Sequence, residues 1–181
     1  MRYKNLIFFI SFSFYLDAQE DLSYQSPPEK ILELIDVVLP PRVLIDEKKE
    51  YMVYLYRDNY KTIEQLSEKE LRLAGLRINP KKNIGSRINY YSNLKMSLIS
   101  DKDSNIINVK GLPKNPQISN IKWSPDQNMI AMTNTTKEGV ELWVLDVKKA
   151  KIKKIVGPRL NANLGSVISW YKDSRSLLVK F

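Results

Sequence analysis

From residue 42 onward the chain alternates short runs of branched and aromatic residues with polar turns, a pattern of strands rather than helices. Residues 42–45 and 51–56 flank a charged turn over 46–50 and predict a hairpin. Residues 71–78 read as one further apolar strand, stopped by Asn79-Pro80. Residues 93–100 and 105–109, around the turn residues 101–104, predict a second hairpin, and 111–116 a loop. Four strand candidates then follow in succession, 118–124, 129–134, 140–147 and 151–156, joined by short turns at Pro125-Asp126, 137–139 and Lys148-Lys149. They predict a four-stranded antiparallel meander. Helical spacing is confined to two places. Ile31, Leu32, Leu34, Ile35 and Val38 predict a short helix over 29–38 that ends at Pro40-Pro41, and residues 62–69 read as a brief acidic helical insertion.

Within the meander lies half of an internal repeat. Ile121-Lys122-Trp123-Ser124-Pro125-Asp126 is echoed by Ile168-Ser169-Trp170-Tyr171-Lys172-Asp173, with both the tryptophans and the aspartates separated by 47 residues. Met129-Ile130-Ala131-Met132 then corresponds to Ser176-Leu177-Leu178-Val179, again an apolar strand after a polar turn. A period of about 40 to 50 residues over four strands is that of a β-propeller blade. Turn chemistry assigns the roles. Pro125 presets the backbone of the second turn position, while Ser124, Asp126 and Asp173 hydrogen-bond turn amides. Trp123 and Trp170 are expected to fill the wedges between neighbouring blades, each burying up to about 250 Å². These four, Trp123, Asp126, Trp170 and Asp173, are read as architectural rather than as ligand sites.

The amino terminus departs from the β pattern. Arg2 and Lys4 precede an apolar run from Leu6 to Leu16 and a short segment ending in Ala18, the layout of a signal peptide with cleavage expected after residue 18. Eleven residues of helix cover only about half of a ~30 Å hydrocarbon core, so no stable membrane anchor is expected. The organisation read from the chain is therefore a signal peptide over 1–18, an extension with a short helix over 19–38, and an all-β, incomplete propeller of two to three blades over 39–181.

Composition narrows the chemistry. The 181 residues contain no Cys and no His, which removes thiol nucleophiles, imidazole bases, disulfides, Cys/His zinc sites and the Ser-His-Asp arrangement. No catalytic, cofactor-binding or metal-binding residue is assigned. The net charge of +9 is spread as scattered pairs such as Lys48-Lys49 and Lys81-Lys82. Its densest run, 148–154, reads as a solvated hairpin, so no nucleic-acid partner is expected.

Two segments carry a family resemblance. They are Glu70-Leu71-Arg72-Leu73-Ala74-Gly75-Leu76-Arg77-Ile78 with the following Gly85-Ser86-Arg87 and Tyr90-Tyr91, and the Trp123-Ser124-Pro125-Asp126 blade ending in Glu141-Leu142-Trp143-Val144-Leu145-Asp146. With Pro27-Pro28-Glu29-Lys30-Ile31 and Leu160-Asn161-Ala162-Asn163, they resemble the glutamyl endopeptidase branch of the prolyl oligopeptidase family over 27–181. The resemblance implies an amino-terminal propeller that limits access and a carboxy-terminal α/β-hydrolase domain with a Ser-Asp-His triad, peptide substrates being met through that second domain. The chain carries no Gly-x-Ser-x-Gly, and its Gly-Ser pairs, Gly85-Ser86 and Gly165-Ser166, stand in unsuitable contexts. Arg72, Arg77 and Arg87 are the residues able to attract an acidic side chain, although surface or structural use of arginine is commoner. A strand over 177–181 with an unpaired edge is expected to promote association and low stability. The alternative function is a stand-alone exported binding module that completes its sheet by oligomerising.

Overall fold

The computed structural model describes residues 25–103 and 105–181; the predicted signal peptide lies outside the described residues. The chain divides between Val37 and Val38 into two units. In the first, helix α1 (Glu29–Ile35) stops earlier than its apolar spacing suggests. Asp36 closes it by donating its N–H to the Leu32 carbonyl at 2.8 Å, so Val38 lies beyond the helix and α1 buries none of its residues.

The second unit begins with β1 (Arg42–Ile45) and β2 (Tyr51–Tyr56). An inserted segment follows, carrying α2 (Ile63–Leu66), β3 (Leu71–Leu73), β4 (Leu76–Asn79) and β5 (Ile84–Gly85). The chain then returns through β6 (Asn93–Leu98) and β7 (Ile107–Asn108). It continues into β8 (Ile118–Trp123), β9 (Met129–Thr135), β10 (Val140–Asp146), β11 (Lys151–Leu160), β12 (Ile168–Trp170) and β13 (Leu177–Val179). Two four-stranded antiparallel sheets result, ordered β1-β2-β6-β7 and β8-β9-β10-β11, followed by the pair β12-β13. The predicted meander and both predicted hairpins are present, and the fold is mostly β, with sheets of the kind that form propeller blades.

Residues 71–78 form a hairpin instead of one strand. Ala74 (φ 45°) and Gly75 (φ 85°) both adopt left-handed backbone, the signature of a two-residue turn that reverses the chain between Leu73 and Leu76. The apolar run hides this turn because Leu71, Leu73 and Leu76 sit on its exposed arms.

The sheet β8–β11 is covered on both faces, which explains the near-continuous apolar run in β10. Side chains alternate along a strand. Ile130, Met132 and Leu145 accordingly join Val53, Leu55, Leu94 and Met96 in one core shared with the first sheet. Ala131, Val140, Leu142 and Val144 face a second core with Leu160, Val167 and Ile168, to which Ile84 of the insertion also belongs. Trp123 packs against the first core and Trp170 against the second, and the Trp170 indole N–H donates to the Lys122 carbonyl at 3.0 Å. Both tryptophans therefore sit where adjacent sheets meet, as the repeat predicts.

The turn between the first two strands repeats in full in three sheets, β1-β2-β6-β7, β8-β9-β10-β11 and β12-β13. The stretches 46–51, 124–129 and 171–176 each span six residues, bounded by Ile45↔Met52, Trp123↔Ile130 and Trp170↔Leu177. In each, the first N–H reaches the sixth carbonyl: Asp46 to Tyr51 (3.3 Å), Ser124 to Met129 (2.8 Å) and Tyr171 to Ser176 (3.0 Å). The fourth residue is left-handed every time: Lys49 (φ 57°), Gln127 (φ 61°) and Ser174 (φ 56°). Successive turns are stitched together, Glu47 N–H donating to Gln127 Oε1 at 3.3 Å and Asp126 N–H to Ser174 Oγ at 3.0 Å.

Candidate functional site: a polar groove beside the inserted segment

The insertion between β2 and β6 borders a groove of about 920 Å³. Residues of β9, β10 and β11 form another part of its wall, together with the loop carrying Pro113 and Pro116. These strands contribute Asn134, Glu141, Trp143 and Lys154, and the insertion contributes Glu64, Glu68, Lys82 and Tyr90.

Glu141 is the best-held carboxylate of this wall. Only 6% exposed, it accepts from the Trp143 indole at 2.7 Å, from Asn134 Nδ2 at 3.2 Å and from Lys154 Nζ at 3.2 Å. Burial pushes its pKa up, but these three donors outweigh burial and hold it below the ordinary carboxylate value. Burial raises the Tyr90 phenol, which stays neutral at ordinary pH. Across the groove Glu68 pairs with the nearly buried Lys82, and Asn79 Nδ2 donates to Glu68 at 2.5 Å. Asn79 in turn accepts the Lys81 and Lys82 N–H groups at 3.1 Å, fixing the bend after β4.

Helix α2 sits at this rim with no buried residue. A capping box defines its start, Gln65 N–H reaching Thr62 Oγ1 at 3.2 Å and Thr62 N–H reaching Gln65 Oε1 at 3.1 Å. One exposed ion pair, Glu64 with Lys137 at 2.8 Å, ties it to the β9–β10 turn. Lys137 donates to Glu64 and attracts it, lowering the Glu64 pKa, and Glu64 raises that of Lys137 by the same contact.

The three arginines singled out in the sequence converge. Glu70 Oε1 accepts Arg77 Nη1 at 2.6 Å and Arg72 Nε at 3.1 Å, while Oε2 accepts Ser86 Oγ at 2.5 Å and Arg87 Nε at 3.4 Å. Led by the Ser86 hydroxyl and then by Arg77, these donors bring the Glu70 pKa down to about 2. Arg72 and Arg77 are direct partners across β3 and β4, so Glu70 offsets a like-charge pair within the hairpin. Ordering by Glu70 was not readable from spacing, because the hairpin that brings the four donors together is set by the turn at Ala74-Gly75.

Neither serine of the Gly-Ser pairs is placed for nucleophilic attack. Ser86 donates to Glu70, whose low pKa makes it a poor base for a hydroxyl proton. Ser166 accepts from Lys122 Nζ at 2.5 Å and donates to the Ile168 carbonyl at 2.8 Å. Asp126 and Asp173 serve their turns, Asp126 accepting Asn128 N–H at 3.1 Å and Asp173 accepting Arg175 and Ser176 N–H at 3.0 and 2.9 Å. No group of three or more Asp or Glu side chains among the described residues is arranged to hold a metal ion. No described helix is long and apolar enough to cross a membrane.

No family model matches the chain. It is similar to a probable glutamyl endopeptidase, chloroplastic, of Oryza sativa subsp. japonica, with 26% identity over 169 residues, 87% of this chain and 18% of that protein. A probable glutamyl endopeptidase, chloroplastic, of Arabidopsis thaliana is 26% identical over 166 residues, 86% of this chain and 17% of that protein. The chain thus spans less than a fifth of the length of these relatives. Among solved structures, Pyrococcus horikoshii acylaminoacyl peptidase aligns with a TM-score of 0.42 and 19% identity, covering 81% of this chain and 17% of that one. An acylaminoacyl peptidase in complex with Z-Gly-Gly-Phe-chloromethyl ketone aligns with a TM-score of 0.44 and 20% identity, covering 81% and 18%.

Proposed function

We propose, from the chain's distant homology to a stretch of the glutamyl endopeptidases of the prolyl oligopeptidase family, that it is the substrate-gating β-propeller portion of an exported serine peptidase. The observation that carries this reading is the sheet-by-sheet repetition of one six-residue turn, within a chain that aligns with the glutamyl endopeptidases over 87% of its length. Hydrolysis belongs to an α/β-hydrolase domain bearing the Ser-Asp-His triad, since these 181 residues contain no His. The propeller's part is selection. It admits flexible peptides, excludes folded proteins and keeps bulk water from the reacting centre, where electrostatic stabilisation is then stronger.

The test is the coding sequence that follows. An encoded Gly-x-Ser-x-Gly with a later Asp and His is the expected result; an unrelated gene after a genuine stop favours the stand-alone binding module. The purified 181-residue chain is expected to show no turnover of glutamyl peptides. Turnover abolished by a serine-directed inhibitor would refute this division of labour. Export is checked by amino-terminal sequencing of the mature protein, which is expected to begin at Gln19; an intact Met1 on cytosolic protein would exclude it.

A further inference from the structure

The groove that holds Glu141 and Trp143 is electrically balanced in a chain of net charge +9. Four acids and four lysines line it, and three pairs are in contact: Glu64 with Lys137, Glu68 with Lys82, and Glu141 with Lys154. Asp58 and Lys114 complete the balance, Asp58 accepting Ser92 Oγ at 2.8 Å. With its charges matched, the groove exerts little long-range attraction on a polyanion or a polycation. Neither Leu, Ile, Val, Met nor Phe lines it, so it offers no aliphatic pocket to a peptide side chain. What remains are uncharged amides and hydroxyls beside two aromatic rings, Tyr90 and Trp143.

The strand wall is ordered around Trp143. Directly paired residues of antiparallel strands share one face of the sheet, as do alternate residues of one strand. Glu141 stands opposite Asn134 and Trp143 opposite Lys154, so the four form one patch. The Trp143 indole N–H donates to Glu141 at 2.7 Å, and Glu141 also accepts from Asn134 and Lys154. Asn134 Oδ1 accepts the Gln117 N–H at 2.9 Å, joining this wall to the loop of Pro113 and Pro116. The half-buried Trp143 ring is thus held in one orientation before any ligand arrives, so placing it costs little entropy on binding. Gln117, its main chain held by Asn134 and Thr135, lines the groove with a side-chain amide that makes no hydrogen bond among the described residues.

A sugar ring offers an apolar C–H face to an aromatic side chain and a rim of hydroxyls to amides and carboxylates. We propose that this groove binds a neutral oligosaccharide, with Trp143 as the stacking platform, Gln117 as a hydrogen-bonding partner and Glu141 as the residue that positions the ring. At about 920 Å³ the groove has room for more than one sugar ring. This inference goes beyond the peptidase reading and does not depend on it; an unrelated downstream gene would leave it intact.

Titration calorimetry of the full chain tests it with four neutral hexasaccharides, β-1,4-linked glucose, N-acetylglucosamine and xylose and α-1,4-linked glucose. Hexagalacturonate and a Gly-Ser dodecapeptide serve as comparisons. At least one neutral sugar is expected to bind with a Kd of about 10 μM to 1 mM, unchanged within about twofold between 50 and 500 mM salt. W143F is expected to lower affinity about tenfold. Q117A, which keeps both main-chain bonds of that residue, is expected to lower it about threefold without moving the thermal melt. W170F makes the same aromatic exchange outside the groove and is expected to change affinity less than about twofold. Binding of none of the four sugars, tighter binding of hexagalacturonate or of the dodecapeptide, a steep loss with salt, unchanged affinity in Q117A, or equal losses in W143F and W170F would each overturn the proposal.

Discussion

Asp126 and Glu141 both keep their charge because hydrogen-bond donors outweigh burial, against a larger burial cost at Glu141. Glu141 is buried and is rescued by three donors, whereas Asp126 is half-buried and is lowered by the Ser124 hydroxyl first, then by Asn128, to about 2 from an ordinary 3.8. A carboxylate whose folded pKa is depressed contributes stability that is full above its unfolded pKa and is lost as pH falls through the folded value. Asp126 therefore contributes fully above about pH 4 and loses that contribution toward pH 2. Thermal melts recorded between pH 4 and pH 2 are expected to fall less steeply for Asp126→Asn than for the wild type.

At the scale of elements, the turn following β9 depends on a residue without a side chain. Gly139 has φ 153°, and a Cβ added there would sit 2.5 Å from the Pro158 carbonyl oxygen of β11. Backbone cannot move away cheaply, so Gly139→Ala is expected to destabilise by about 1 to 3 kcal/mol. Gly157→Ala, which meets nothing within 4 Å, is the matched control and is expected to change stability by less than about 0.5 kcal/mol in urea unfolding. The central sheet also carries both cores. Met132 is fully buried between the first two sheets, and Met132→Ala is expected to cost about 2 to 5 kcal/mol by the same measurement.

For the whole molecule, β13 offers a strand edge that has no neighbour among the described residues. Among the described residues β13 pairs with β12 alone; Leu178 within it and Phe181 just beyond it are 60% and 66% exposed. Unpaired, apolar strand edges recruit other chains. The 181-residue polypeptide is expected to self-associate in light scattering coupled to size exclusion, and Leu178→Lys to shift it toward monomer.

Much of this was legible in the residues themselves. The alternation of apolar and polar positions located the meander β8–β11, because side chains of a strand point to opposite faces and the turns between these strands are short. The 47-residue spacing located the second and third turns and both tryptophans. The first turn stayed hidden: Ile45 stands where the later copies have tryptophan, and the insertion at 57–92 breaks the period, so only shared hydrogen bonds and the left-handed fourth residue reveal it. Arg72, Arg77 and Arg87 were visible as residues but not as one cluster around Glu70, since a short left-handed turn inside an apolar run decides which side chains meet. Composition alone excluded an imidazole-based active site, because a side chain that is absent cannot be supplied by folding. The matching of four acids with four lysines around one groove belonged to tertiary structure, because electrostatics depends on distance in space and not on distance along the chain.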